Sequence, residues 1–219
     1  TELIAQVPVE PRDSSKLLVL HRSSGRLENQ RFTDILEYFQ SGDLMVFNQS
    51  RVIASRLLGH RDDTGSKVEL LLLRRVAANT WQALAKPARR LHTGAKITVT
   101  PPHRTPSSGT GGLFVEVLQS HEDGIKTVRL SSDDAISAFG RAPLPPYIRQ
   151  SLDDPERYQT VYATQPGSAA APTAGLHFTH GLLEKIRVAG VETAFVTLHV
   201  GLDTFRPVQS EDPIQHKIH

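Results

Sequence analysis

Between about residues 57 and 130, apolar residues come in short runs or alternate with polar ones. Examples are Val68-Glu69-Leu70-Leu71-Leu72-Leu73, Trp81-Gln82-Ala83-Leu84, Ala95-Lys96-Ile97-Thr98-Val99, Leu113-Phe114-Val115-Glu116-Val117 and Ile125-Lys126-Thr127-Val128-Arg129-Leu130. Runs of this length, most of them parted by polar or Gly-containing turns, predict successive antiparallel strands in a small barrel or sandwich. Outside this stretch the period changes. Strands are predicted over 16–20 and 44–47. Thr33 is placed to cap a helix reaching Phe39, with Gly42 as its stop. Ser132 precedes the acidic turn Asp133-Asp134 and then Ala135-Ile136, a helix start. Asp153 or Asp154 caps a further helix with Pro155 near its first position, running towards Tyr162. Thr179 caps one carrying Leu182, Leu183 and Ile186 and stopped at Gly190, and 191–200 reads as a strand. The expected fold class is therefore α/β with two domains. An α/β domain built from both ends of the chain (1–56 and 144–219) holds an inserted antiparallel β-barrel (57–143).

The 219 residues are 38% hydrophobic and 22% charged, enough to bury a core. There is no Cys, which excludes a disulfide scaffold, a Cys-based zinc site and a thiol nucleophile. No apolar run approaches the ~20 residues that cross a bilayer, so no membrane association is expected. The start, Thr1-Glu2-Leu3-Ile4, lacks the basic and apolar regions of a signal peptide. The net charge of +2 hides an asymmetry. Residues 51–104 carry eleven Lys and Arg against three acids, a surplus of +8, and the remainder carries −6. A polyanion is attracted to one part of this molecule and not to the other.

Phosphate-binding glycine loops and the G-x-S-x-G elbow are absent from the sequence. His216-x-x-His219 is spaced to share one helical face, but no H-E-x-x-H accompanies it, and two ordinary histidines explain the pair. Three segments stand out. Phe47-Asn48-Gln49-Ser50-Arg51-Val52-Ile53-Ala54-Ser55-Arg56 puts Arg51 and Arg56 after a strand end, where guanidinium groups meet phosphate or carboxylate. Two solvated arginines are the competing reading. Leu144-Pro145-Pro146-Tyr147-Ile148-Arg149 rigidifies the approach to Tyr147 and Arg149, a pair suited to stacking on a base or holding a phosphate, or else forms a stiff linker. Gly167-Ser168-Ala169-Ala170-Ala171-Pro172-Thr173-Ala174-Gly175-Leu176-His177-Phe178-Thr179 has small residues that let backbone approach a ligand, and it ends in His177 and Phe178 just before a helix start. A tight loop is the plain alternative. His199 lies near a strand end. Five of the ten histidines fall in the last 43 residues, a supply of groups that titrate near neutrality.

Taken in order, these segments closely resemble the S-adenosylmethionine:tRNA ribosyltransferase-isomerase family of queuosine biosynthesis. The matching pieces include Val46-Phe47-Asn48 with Ser50-Arg51-Val52, Lys86-Pro87, Leu144-Pro145-Pro146-Tyr147-Ile148, and Glu156-Arg157-Tyr158-Gln159-Thr160-Val161-Tyr162-Ala163. They continue with Ala170-Ala171-Pro172-Thr173-Ala174-Gly175-Leu176-His177-Phe178-Thr179, then Thr197-Leu198-His199-Val200-Gly201 through Thr204-Phe205-Arg206-Pro207-Val208. Asp203 stands where the family usually has Gly. The family usually runs on beyond the point where this chain stops, so the expectation is a copy lacking the C-terminal portion.

The resemblance implies transfer and isomerisation of the ribosyl part of S-adenosylmethionine onto 7-aminomethyl-7-deazaguanine at the wobble position of a tRNA. Epoxyqueuosine forms, and adenine and methionine leave. It also implies an α/β domain with an inserted barrel. Within that chemistry His177 is the leading acid/base candidate and His199 the second. Phe178 or Tyr147 stacks on adenine or the modified base. Arg51, Arg56, Lys86 and Arg149 hold tRNA phosphates or the methionine carboxylate. Pro172 and Thr173 line the substrate site. S-adenosylmethionine is the co-substrate and precursor tRNA the partner. No metal is expected, because the sulfonium already supplies a leaving group. A cytoplasmic monomer is expected. Two other readings stand beside this one: a non-catalytic RNA-binding barrel module or inactive fragment of such an enzyme, and a hydrolase using Ser168 or Thr173 with His177.

Overall fold

The computed structural model describes residues 2–102, 112–121, 124–145, 147–150, 152 and 154–201. The sequence expectations at Arg104, Pro146, Asp153, Asp203, His216 and His219 lie outside the described residues. In chain order the strands are β1 (Lys16–Leu20), β2 (Leu27–Arg31), β3 (Leu44–Asn48), β4 (Ser50–Val52), β5 (Arg56–Arg61), β6 (Lys67–Ala77), β7 (Thr80–Lys86), β8 (Lys96–Val99), β9 (Phe114–Ser120), β10 (Ile125–Leu130), β11 (Gln165–Ser168) and β12 (Glu192–Val196). The α-helices are α1 (Ile136–Phe139) and α2 (His180–Val188). No helix among the described residues is long and apolar enough to cross a membrane.

The chain divides into two compact units. One comprises Thr1–Arg51, Leu144–Pro166 and Ala171–Leu198. The other comprises Val52–Pro143, Gly167–Ala170 and the residues from His199 on. The architecture is thus the expected one, an α/β unit drawn from both ends of the chain and a closed antiparallel barrel. Leu72 N donates to Ser55 O at 2.8 Å, which ties residues 52–56 to the barrel, and Ile53 N donates to Ser168 O at 3.0 Å, which ties 167–170 to 52–56.

β5 to β10 form that barrel in the order β10–β7–β6–β5–β8–β9, closed by β9 on β10. Every second side chain points inward. Leu57, Val68, Leu70, Leu72, Ile97, Val99, Val115, Val117, Val128 and Leu130 fill the interior, and Ile136 and Phe139 of α1 join the same cluster. The sequence pattern shows five of the six strands but not β5. Gly59 interrupts its apolar run for a structural reason, since a Cβ there would lie 2.4 Å from Thr98 O on β8. A polar clasp ties the β6–β7 turn to the approach to α1. Asp133 accepts from Trp81 Nε1 (2.7 Å) and Asn79 N (3.0 Å) and pairs with Arg75 at 2.6 Å. Burial pushes the Asp133 carboxyl up, but these partners outweigh it and hold the group below its ordinary range.

The other unit has its own core of Phe32, Phe47, Phe178, Leu182, Ile186 and Val191. β3 and β12 pair in parallel, from Leu44 beside Glu192 to Asn48 beside Val196. α2 packs with them, and its first turn is capped as the sequence predicts: Thr179 Oγ1 accepts from Leu182 N at 3.0 Å. β1 and β2 form an antiparallel pair. Three expected elements differ. The helix expected to be capped by Thr33 is a 3-10 segment, Phe32–Tyr38, whose cap is Arg31, two residues earlier, because Asp34 accepts from Arg31 N at 2.9 Å and Phe32 anchors in the core. The helix expected towards Tyr162 is one 3-10 turn, Pro155–Tyr158, capped by Asp154. The strand expected over 191–200 ends at Val196, since Leu198 N turns to the side chain of Asn48 at 3.1 Å.

Candidate active site

Of the expected site residues, Arg51, Tyr147, Arg149, Pro172, Thr173, His177 and Phe178 belong to the α/β unit. Arg56, Lys86 and His199 belong to the barrel unit.

His177 closes a 3-10 turn, Thr173–His177, that precedes the α2 cap. The small residues of this segment answer to close packing. A Cβ on Gly175 would lie 2.2 Å from Tyr162 Oη and 2.9 Å from Thr160 Cγ2, so only Gly fits there. Tyr162 is buried enough that its phenol is pushed up to about 12. It acts as a neutral wall. The His177 ring lies over Phe32 at 4.9 Å between centroids, and its Nδ1 is 2.8 Å from Ser15 Oγ. Partial burial holds its pKa below the ordinary value of 6.5, which favours the neutral imidazole.

The N-terminal segment organises this site, although no local pattern in the sequence signals it. Asp13 accepts from Thr179 Oγ1 at 2.7 Å, two residues along from the Ser15–His177 contact. Arg12 donates to Gln159 O and Glu156 O. Arg157 pairs with Glu10 at 2.6 Å. Gln6 bridges Tyr147 O (3.1 Å) and Arg149 N (2.8 Å). No short-range pattern advertises contacts across some 150 positions; a polar run such as Asp13-Ser14-Ser15 reads locally as a turn.

A cavity of about 420 Å³ opens in the same unit, within the size range of small-molecule sites. Tyr147, Thr173 and Leu176 line it, with Val7, Ile148 and Leu152 on apolar walls. Asp154 and Arg157 also border it, each already bonded within the unit. The 3-10 turn that carries His177 therefore contributes to the cavity as well.

The expected site residues sit in different surroundings. Phe178 is a core residue: it meets Phe32 and Phe47 edge to face at 5.0 and 5.1 Å, which leaves its ring no room for a base. Tyr147, 45% exposed and on the cavity, has that room. Arg51 pairs with Glu156, and Arg56 with Glu69 at 3.1 Å, so both guanidinium groups already have carboxylate partners. Lys86 and Arg149 are exposed. Pro172 is half-buried beside the exposed Thr173. His199 is exposed and lies against Gly167, where a Cβ would come within 3.0 Å of its ring. Ser168 is fully buried, donating to Ala170 O at 2.7 Å and accepting from Val200 N at 3.0 Å, which leaves it no part as a hydrolytic nucleophile. No cluster of three His, Asp or Glu suited to a metal occurs among the described residues.

The family model described as queuosine biosynthesis protein matches residues 1–219. The chain belongs to that family. Among its relatives, the S-adenosylmethionine:tRNA ribosyltransferase-isomerase of Dehalococcoides mccartyi (strain CBDB1) is 52% identical over 218 residues, all of this chain and 62% of the relative. The protein of the same name from Clostridioides difficile (strain 630) is 50% identical over 222 residues, again 62% of its length. This family member thus spans about three-fifths of the curated relatives it matches. A crystal structure of S-adenosylmethionine tRNA ribosyltransferase from Thermotoga maritima is 32% identical, with a TM-score of 0.34, over 91% of this chain and 55% of that one.

Proposed function

We propose that this chain serves S-adenosylmethionine:tRNA ribosyltransferase-isomerase activity, moving and isomerising the ribosyl group of S-adenosylmethionine onto 7-aminomethyl-7-deazaguanine in tRNA. The observation that carries the reading is the family match over the whole chain together with half-identical relatives bearing that name. The site supports it chemically. The sulfonium makes the adjacent ribose methylene acidic, adenine must leave, and the aminomethyl nitrogen must be neutral to attack. These steps need a group that exchanges or shares protons near pH 7 in a partly dry setting, and His177 is such a group. The cavity beside Tyr147 suits the adenosyl group or the modified base. His199 is the second acid/base candidate. Lys86 with its exposed neighbour Arg89, and Arg149, are the candidate contacts for tRNA phosphates and the methionine carboxylate. The proposed setting is a cytoplasmic monomer.

Adenine release from S-adenosylmethionine in the presence of precursor-bearing tRNA tests the reading. The activity is expected, and it should fall at least about a hundredfold in His177→Ala while tRNA binding persists. Unchanged release in that variant removes His177 from the chemistry. Binding of tRNA with no release at all favours the RNA-binding module. For the barrel, Lys86→Ala with Arg89→Ala should lower the slope of log K against log salt by about 2, roughly 0.9 per lost phosphate contact. An unaltered slope takes the tRNA surface away from this end of β7.

A further inference from the structure

The proton position on His177 decides what that residue can do, and one hydroxyl lies within hydrogen-bond distance of its ring. Ser15 Oγ has one partner among the described residues, His177 Nδ1 at 2.8 Å. Its backbone is tied on both sides: Ser15 N donates to Arg12 O at 3.4 Å, and Phe32 N donates to Ser15 O at 2.8 Å. Phe32 in turn supplies the ring under the imidazole. Two residues before Ser15, Asp13 holds Thr179, two residues after His177. The 3-10 turn Arg12–Ser14 and the segment 177–179 are thus docked at two points, which fixes where the Ser15 hydroxyl points.

Two proton arrangements fit a 2.8 Å contact. In one, Nδ1–H donates to Ser15, and the half-buried hydroxyl proton is left without an acceptor among the described residues. In the other the hydroxyl donates to the Nδ1 lone pair, which satisfies the serine donor and leaves the ring proton on Nε2. An unpaired donor in a partly buried site is the costlier choice. We propose that Ser15 is a positioning residue for His177: its hydroxyl donates to Nδ1 and fixes the neutral imidazole in the tautomer protonated at Nε2. His177 then presents a hydrogen-bond donor, in the manner of other neutral imidazoles that polarise a substrate atom. In the proposed reaction that donor serves the departing adenine, whose ring nitrogen takes up electrons as the glycosidic C–N bond breaks. This last consequence rests on the proposed function; the tautomer does not.

Nitrogen-15 NMR of the histidine-labelled chain at pH 7.5 tests the tautomer directly. The expected spectrum shows His177 with a pyridine-type Nδ1 and a pyrrole-type Nε2. Ser15→Ala should move the tautomer ratio about fivefold towards Nδ1–H, the equivalent of one net hydrogen bond, and Ser15→Thr should retain the wild-type pattern. A protonated Nδ1 in the wild-type chain, or a ratio that Ser15→Ala leaves unmoved, overturns the proposal. Adenine release supplies a separate reading, with Ser15→Ala expected to lower kcat about fivefold at constant KM. If the tautomer shifts while kcat holds, the positioning by Ser15 stands and the catalytic role of His177 falls.

Discussion

In the barrel unit each strand pairs with strands on both sides, and one apolar cluster from Leu57 to Phe139 fills the space between them. In the α/β unit the decisive contacts are polar and join distant stretches of chain: Ser15 to His177, Asp13 to Thr179, Arg12 to Gln159. The first arrangement builds a frame from local repetition. The second gathers groups for a site from the two ends of the chain. In this protein, burial and chemistry are organised by different segments and answer to different substitutions.

The largest expected effect falls on the frame. Leu72 is fully buried in the barrel, and Leu72→Ala should destabilise it by about 2–5 kcal/mol, the range for truncation in a packed core. Hydrogen exchange should accelerate in β5 to β10 more than in α2 and β12. Equal acceleration in both units would erase the distinction drawn between them. A smaller effect belongs to the site. Gly175→Ala forces a methyl against Tyr162 Oη and should cost about 1–3 kcal/mol, with exchange changes confined to the α/β unit. A change of less than about 0.5 kcal/mol would show that the Thr173–His177 turn is not tightly held.

The smallest effect is a dependence on pH. His177 has a folded-state pKa below its ordinary 6.5, so the unfolded chain takes up the proton first as pH falls. Its contribution to stability is therefore complete above pH 6.5 and is lost as the pH drops below it. Urea unfolding of the wild-type chain and of His177→Gln between pH 8 and pH 5 should show a shallower acid loss in the variant. Parallel curves would mean that the imidazole titrates freely.

What is legible in the sequence follows the same division. Five of the six barrel strands appear as apolar runs because period-two alternation is a local property of the chain. β5 escaped notice because Gly59, required by the approach of Thr98 O, breaks its run. The Thr179 cap and the Gly190 stop of α2 were equally local; Gly190 has a φ of +84°. Phe178 shows the limit from the other direction. Its place in a distinctive motif suggested a stacking surface, but only the packing of Phe32 and Phe47 against it reveals a core residue.

Three features can be read along the chain alone: the division into a barrel and an α/β part, the asymmetry of charge between segments, and the motif run from Ala170 to Thr179 that marks the family. These follow from residue order and composition. The tertiary structure decided which arginines meet carboxylates, which aromatic residue faces a cavity, and which serine touches His177. Those outcomes depend on where distant segments meet, and only the folded chain brings Ser15 within 2.8 Å of a residue 162 positions away.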